Sequence, residues 1–539
     1  MYILKKSPRT LGLDEPIRHE SHKTPVSRRD FIAQGFRTGP AIVAGGAILS
    51  ALMGRPARAM TEPLEEFARD ICAITSGAGK VPFICFDLAG GANLNGSEIL
   101  LGAAGDPLNF LSTQGYATLG LPGNMTPGSA NAASPTNNFV NTEFGAPWHS
   151  DGAMLRGMLA STQAATRANT NAFGIAARSE NDTGNNPHNP MYGINRIGAD
   201  GELLTLIGSQ NTDSGGNSMA PAALINPAAR PTKVDRASDV TGLVDTGELS
   251  SMFPAATSGP NDAIYVLESM TRLGHRKTDL IDPRLASGGE DEVLRELVKC
   301  GYVKSTYLAD RFRTPATLNP DLDPDIKGPT GIFTDAEYAA DGEFRKTAAV
   351  MKMVINGYAG AGTVTMGGYD YHGQGRNTGE NRNFRAGRCI GACLEYARRM
   401  NKPLMIYVFS DGSLSASGAP NMTVDGRGKL DWMSDNQSTA ASIVMVHRPT
   451  GRVAFRNDAR RQIGSMTPAG AVATSSSPAA NAVNLLVETV LLNYMALHGE
   501  EANFDQPAFF PRHGLGGVAA RDALTILAPV CQGTISNPA

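Results

Sequence analysis

Cysteine is sparse in this 539-residue chain and poorly spaced for metal or redox chemistry. The six residues, Cys72, Cys85, Cys300, Cys389, Cys393 and Cys531, are too few for a disulfide scaffold. They include no Cys-x-x-Cys pair, so neither a zinc ribbon nor a thioredoxin-type site is supported. Cys389 and Cys393 stand four apart in a helical pattern and read as two small buried helix residues. There is no G-x-G-x-x-G, no Gly-Lys-Ser/Thr phosphate loop and no G-x-S-x-G elbow, which removes the usual signs of dinucleotide, nucleotide and Ser-His-Asp chemistry. No internal repeat is visible, and after Ala59 no apolar run approaches the length of a membrane span.

The N-terminal residues are the most informative. Ser27-Arg28-Arg29-Asp30-Phe31-Ile32 precedes the apolar run Ala41 to Met53 and a small-residue site, Ala57-Arg58-Ala59. A basic start, an apolar middle and a small-residue end make a secretory signal. The paired arginines resemble the twin-arginine (Tat) signal of bacteria, which implies export of an already folded protein by the Tat machinery to the periplasm or beyond. Residues 1–59 are therefore expected to be cleaved, leaving one large α/β domain over 60–539. Those 59 residues hold ten of the 48 Lys/Arg and four of the 51 Asp/Glu, leaving 38 basic against 47 acidic residues. A formal charge of −9 argues against nucleic acid or an anionic membrane as partner, since both select basic patches.

Gly, Asn, Ser and Pro are abundant and aromatics few, a composition of long structured loops, expected at about 105–150, 179–220 and 467–480. Between them, buried strands are read at Phe83–Phe86, Leu203–Ile207, Thr363–Met366, Leu404–Phe409 and Ala441–Val446. Helical patterns cover Ala339–Asn356, Phe384–Met400 and Ala482–Leu497. This alternation predicts an α/β fold: a mostly parallel sheet with helices on both faces. Residues 262–330 are largely helical and charged, an excursion beside the sheet within an inserted stretch of about 208–330.

Ligands of open parallel sheets bind at the carboxyl ends of the strands. Three of the buried runs end in a carboxylate there: Asp87 before Gly90-Gly91-Ala92-Asn93-Leu94-Asn95, Asp370 in Gly368-Tyr369-Asp370-Tyr371-His372, and Asp411 in Ser410-Asp411-Gly412. If the strands are parallel neighbours, the acids converge on one edge. Asp370 and His372 are i, i+2, so in an extended segment they share a face and can meet one cation. The Gly90-Gly91 loop could equally present N–H groups to an oxyanion or be a structural turn. Of the seven histidines after Ala59, His149, His188, His447 and His498 each have a structural reading.

These residues resemble the domain of unknown function 1501 family, exported bacterial proteins distantly similar to alkaline phosphatases and sulfatases. The resemblance rests on the twin-arginine start, Phe86-Asp87-Leu88-Ala89-Gly90-Gly91-Ala92-Asn93-Leu94-Asn95, Gly368-Tyr369-Asp370-Tyr371-His372, Val408-Phe409-Ser410-Asp411-Gly412 and Pro187-His188-Asn189-Pro190. Tyr369 and Tyr371 stand for the family's Trp and Thr, Ser410-Asp411 lacks the Glu-Phe, and the late Asp-His-Gly has no clear counterpart. The resemblance implies an alkaline phosphatase/sulfatase-like, metal-dependent hydrolase of phosphate or sulfate esters, small-molecule or glycan. In that role Asp370 and His372 are metal ligands, Asp87 and Asp411 ligands or positioning acids, Asn93 a donor to ester oxygens, and the cation Zn, Mn or Ca. The competing reading is a catalytically silent binding or cell-surface assembly protein on the same fold. Replacing Arg28 and Arg29 together by Lys should leave the protein in the cytoplasm. Fractionation that still recovers the double variant outside would exclude this route.

Overall fold

The computed structural model describes residues 79–179, 186–244, 262–281, 290–312 and 315–538, with Leu64, Phe67, Ala68, Ile71 and Cys72. The expected signal at 1–59 lies outside the described residues. The chain divides into two compact units, one of residues 75–241 and 316–539, the other of residues 1–74 and 242–315.

The first unit is built on an eight-stranded sheet. Its strands are β1 (Phe83–Leu88), β2 (Thr170–Ala176), β3 (Leu204–Gly208), β4 (Thr232–Lys233), β5 (Ala359–Met366), β6 (Leu404–Ser410), β9 (Ala441–His447) and β10 (Gln462–Ile463). A separate hairpin, β7 (Leu414–Pro420) with β8 (Leu430–Asp435), leaves the sheet between β6 and β9. The order across the sheet is β10-β2-β9-β6-β1-β5-β3-β4. Only β9 runs against the rest, pairing antiparallel with both β6 and β2. The α/β class and the mostly parallel sheet therefore stand. All five strands read from the sequence form, and β1, β5, β6 and β9 are buried along their whole length, as strands covered on both faces must be.

Each face has its own helices. Phe83 and Cys85 of β1, Ala361 of β5 and Met405, Tyr407 and Phe409 of β6 share one apolar cluster with Leu486, Val490, Leu491 and Met495 of the long C-terminal helix (Val483–Leu497). On the other face Gly362 of β5 lets the helix Gly342–Ile355 approach, since a Cβ there would meet Val350 at 2.6 Å. Burial of such apolar side chains contributes roughly 1.5–3 kcal/mol each.

Three differences from the sequence pattern have physical causes. The stretch Ala339–Asn356 is two helices, because the Asp341 side chain accepts from Glu343 N at 2.9 Å and starts a new one. The helix expected from Phe384 begins at Arg376, and its polar first turns pack on charges: Lys429 donates to Glu380 at 2.8 Å, and Arg376 lies 4.4 Å over the Trp432 ring. Strand β2 was not read at all. Its sequence, Thr-Asn-Ala-Phe-Gly-Ile-Ala, has little β-branched pattern, and Gly174 admits Leu101, whose Cδ2 would lie 2.4 Å from a Cβ.

Among the described residues the second unit has helices over Asp262–Asp279 and Glu290–Arg311, and a disulfide joins Cys72 to Cys300 of the latter. Residues 208–241, within the stretch read as inserted, belong to the sheet unit and supply its edge strand β4.

Among the buried histidines, His498 joins the helix Val483–Leu497 to the start of β1. Val81 N donates to its Nε2 at 2.9 Å, so Nδ1–H donates to Tyr494 O at 2.8 Å. Burial lowers its pKa to about 4 and that of His447 likewise, while His149 and His188 are held at about 3. Unfolding releases each to the ordinary value near 6.5, so the unfolded chain binds more protons below that pH. Glu98, Asp87 and Glu488, raised by burial, act in the opposite direction, but the lowered histidines, joined by His275 and His513, outnumber them. Stability should fall as pH drops from 7 to 5, by on the order of a few kcal/mol. Urea midpoints measured across that range check this, and a flat profile would contradict the buried neutral histidines.

Candidate functional site

The three carboxylates do meet on one edge. In register, Asp87 of β1 faces Thr365 of β5 and Phe409 of β6, and Leu88 faces Met366 and Ser410. The three parallel strands thus end level, and Asp370 and Asp411 follow directly. Yet the edge holds two different environments.

The first is buried. Asp87 is fully enclosed, and its Oδ2 accepts from Asn217 N at 2.7 Å, Ser218 N at 2.8 Å and Thr365 Oγ1 at 3.3 Å. Its Oδ1 accepts from Ser218 Oγ at 3.2 Å. Burial raises the Asp87 carboxyl above its ordinary pKa, and the Ser218 and Asn217 amides oppose that rise. Gly216 is required beside it, since a Cβ would lie 2.9 Å from Asp87 Oδ2. Asn217 also reaches Asp411, its Nδ2 donating to Oδ2 at 3.3 Å. Asp411 Oδ1 in turn accepts from Gly90 N at 2.7 Å.

The same stitching closes the Gly90-Gly91 loop. Ser410 Oγ donates to Leu88 O at 2.6 Å and accepts from Ala92 N at 2.8 Å and Gly91 N at 3.2 Å. Of the two readings of this loop, the structural turn is the one observed, because its N–H groups bind Ser410 and Asp411. Asn93 is fully buried. Its Nδ2 donates to Leu414 O at 3.2 Å, its Oδ1 accepts from Ser97 Oγ, and its N–H donates to Tyr371 OH at 3.1 Å. Enclosure removes Asn93 as a donor to ester oxygens: it is a packing residue that fixes the loop.

The second environment is exposed. After β5 the burial alternates, Tyr369 and Tyr371 inside, Asp370 and His372 outside, as an i, i+2 pair on one face requires. His372 Nδ1 bonds Asp370 Oδ1 and lies 3.4 Å from Asp435 Oδ1. One ligand atom each from Asp370, His372 and Asp435 lies within 4.8 Å of the others, the one such trio among the described residues. The third carboxylate beside Asp370 and His372 is therefore Asp435, not Asp87 or Asp411, whose oxygens are occupied by the buried network. Asp435 ends β8, brought in by the hairpin: Gln374 N donates to Trp432 O at 2.6 Å, and Asn436 N to Ser413 O at 2.7 Å. Oxygen, nitrogen and oxygen donors in one exposed trio fit a divalent first-row cation such as Zn or Mn, whereas the imidazole nitrogen disfavours calcium, which takes oxygen ligands.

Asp435 and Asn217 were missed from sequence. Gly215-Gly216-Asn217-Ser218 repeats the Gly-Gly-x-polar pattern of Gly90-Gly91 and is the signal that could have found Asn217. Asp435 has no local signal, because only the hairpin fold relates it to His372. His188 stacks on Phe409 with centroids 5.4 Å apart and is buried. Two surface pockets of about 460 and 280 Å³ lie elsewhere, sharing Asn124, Met125 and Arg427, away from the strand ends. Compared with known proteins, the chain matches no family model and no curated protein.

Asp87→Ala should destabilise the protein by about 1–3 kcal/mol, since it leaves the buried Ser218 N–H unpaired and the Asn217 N–H with only its 3.2 Å contact to Thr365 Oγ1. Asp87→Asn keeps an oxygen for them and should cost markedly less. Gly90→Ala should disturb the exposed trio as well as stability: φ is +122°, and the Cβ would lie 2.4 Å from Asp370 N. Chemical denaturation of the three variants gives the order, and equal losses for Asp87→Ala and Asp87→Asn would refute the bracing role.

Proposed function

We propose that the chain is an exported, alkaline phosphatase/sulfatase-like hydrolase of phosphate or sulfate esters, with a single divalent cation at Asp370, His372 and Asp435. The observation that carries the reading is this trio, set at the carboxyl edge of a parallel sheet with its ligand atoms within 4.8 Å of one another. Zn or Mn fits the donors, and such a cation would supply an activated water and charge stabilisation on the leaving oxygen. Asp370 and Asp435 flank the imidazole, and side-chain exposures of 55%, 43% and 41% for Asp370, His372 and Asp435 leave the trio open to an incoming ester. Asp87 holds the Asn217–Ser218 turn, and Asp411 holds Gly90, whose loop packs against Asp370. The Arg28-Arg29 signal supports export by Tat, and the Cys72–Cys300 disulfide is in keeping with an oxidising compartment such as the periplasm.

One observation favours the second reading, a catalytically silent binding or assembly protein. Ser410, Asp411 and Asp87 are engaged by the amides of Gly90 to Ala92 and of Asn217 and Ser218, so none of the three stands as a nucleophile beside the trio. Metal analysis of the exported protein, with hydrolysis of p-nitrophenyl phosphate and sulfate, separates the two. The hydrolase reading expects bound metal and ester cleavage, both falling to background in His372→Ala and Asp435→Ala with the fold retained. Bound metal without cleavage supports the silent reading, and a folded, metal-free wild type would overturn the cation site.

A further inference from the structure

The six cysteines divide sharply between the two units. Cys85, Cys389, Cys393 and Cys531 are buried thiols of the sheet unit. Cys389 and Cys393 stay unpaired although they are four apart on one helix. Burial pushes the Cys389 thiol up to about 12 and Cys531 to about 11, and raises Cys85 and Cys393 as well. Thiols held protonated and enclosed are poor nucleophiles for disulfide exchange. The other two, Cys72 and Cys300, are half-buried, lie in the helical unit and form the disulfide, across a separation of 228 residues. Around that bond Leu64, Ala68 and Val303 form a small apolar cluster, with Phe67 and Tyr307 against it, and Phe67 meets the His275 ring at 5.0 Å. Among the described residues, the Cys72–Cys300 bond is the covalent tie that fastens Cys72 to the helix Glu290–Arg311 beside this cluster.

We infer that the two units mature in different redox compartments: the sheet unit is complete with its thiols reduced, and the helical unit is locked by Cys72–Cys300 only after export. The inference rests on the export reading given above. It follows from placement, because the sheet core, the strand-end network and the Asp370 trio contain no disulfide, whereas the segment that follows the expected cleavage site is fastened by one. A sheet that needs no oxidation can fold before passage through a route that carries folded protein. The clamp closes by thiol–disulfide exchange with an external disulfide of the periplasm, protein or small molecule. The thiolate of one cysteine, Cys72 or Cys300, attacks a sulfur of that disulfide, forming a mixed disulfide and releasing one thiol. The other thiolate attacks the protein sulfur, forming the Cys72–Cys300 bond and releasing the second thiol. The two protein thiols lose two electrons and two protons, and the external disulfide is reduced to two thiols.

Pulse-labelled cells quenched in acid and alkylated under denaturing conditions test this on the full chain. The precursor, still bearing residues 1–59, should take up label at six cysteines, and the processed exported chain at four, with Cys72 and Cys300 recovered as one linked peptide pair. A linked pair already in the precursor would overturn the order of events, and six free thiols in the exported chain would overturn the clamp. Because precursor and processed chain are compared directly, the thiol result stands even if the Arg28/Arg29 double variant shows that another export route is used. Cys300→Ser should speed limited proteolysis near residues 64–72 by at least about tenfold, while urea unfolding of the sheet unit stays unchanged. An unaltered cleavage rate in Cys300→Ser would also overturn the clamp.

Discussion

The Ser410 hydroxyl, which bonds the end of one parallel strand to the loop that leaves its neighbour, is the contact on which the candidate site depends. It gives its proton to Leu88 O and takes the amides of Gly91 and Ala92. With Asp411 on Gly90 N, it fixes a sharp turn in which Gly90 has φ +122° and lies so close to Asp370 that no side chain fits. Ala89 N then bonds Met366 O, and Tyr369 N bonds Ala89 O, so the exit of the third strand is set by the same loop. Each bond contributes about 1 kcal/mol net, but a missing partner leaves a buried amide unpaired at about 1–3 kcal/mol. The arrangement is held more by the cost of breaking it than by the strength of its bonds.

Carboxylates that look equivalent along the chain therefore do different work. Asp87 and Asp411 sit where main-chain N–H groups converge, and they serve as braces in a region that water does not reach. Asp370 lies a few residues beyond its strand, where the alternating Tyr369 and Tyr371 take the interior and push Asp370 and His372 outward. Solvent access, more than residue type, separates brace from candidate ligand.

The hairpin β7–β8 supplies the third donor, and its seat is electrostatic as well as apolar. Lys429 is fully buried, with its ammonium on Glu380 at 2.8 Å and on Asp151 O at 2.8 Å. Arg376 packs on Trp432 while donating to Gly120 O at 2.6 Å. Desolvated charges of this kind are costly unless fully paired, and the pairing fixes where the hairpin, and so Asp435, is placed.

Local pattern determined the central elements of this protein. The apolar runs at Phe83, Leu203, Thr363, Leu404 and Ala441 specify strands, four of which are buried along their whole length, and the i, i+2 spacing of Asp370 and His372 puts them on one side. The carboxyl-edge convergence of Asp87, Asp370 and Asp411 was legible too, since parallel strands of similar length end together. Tertiary structure alone decided the rest. The reversed direction of β9, the strand β2 whose glycine makes room for Leu101, and the early start of the helix at Arg376 depend on neighbours distant in sequence. So does the exchange of Asp87 for Asp435 beside His372, because a carboxylate's role follows from the donors and water around it, and those are chosen only when the chain is folded.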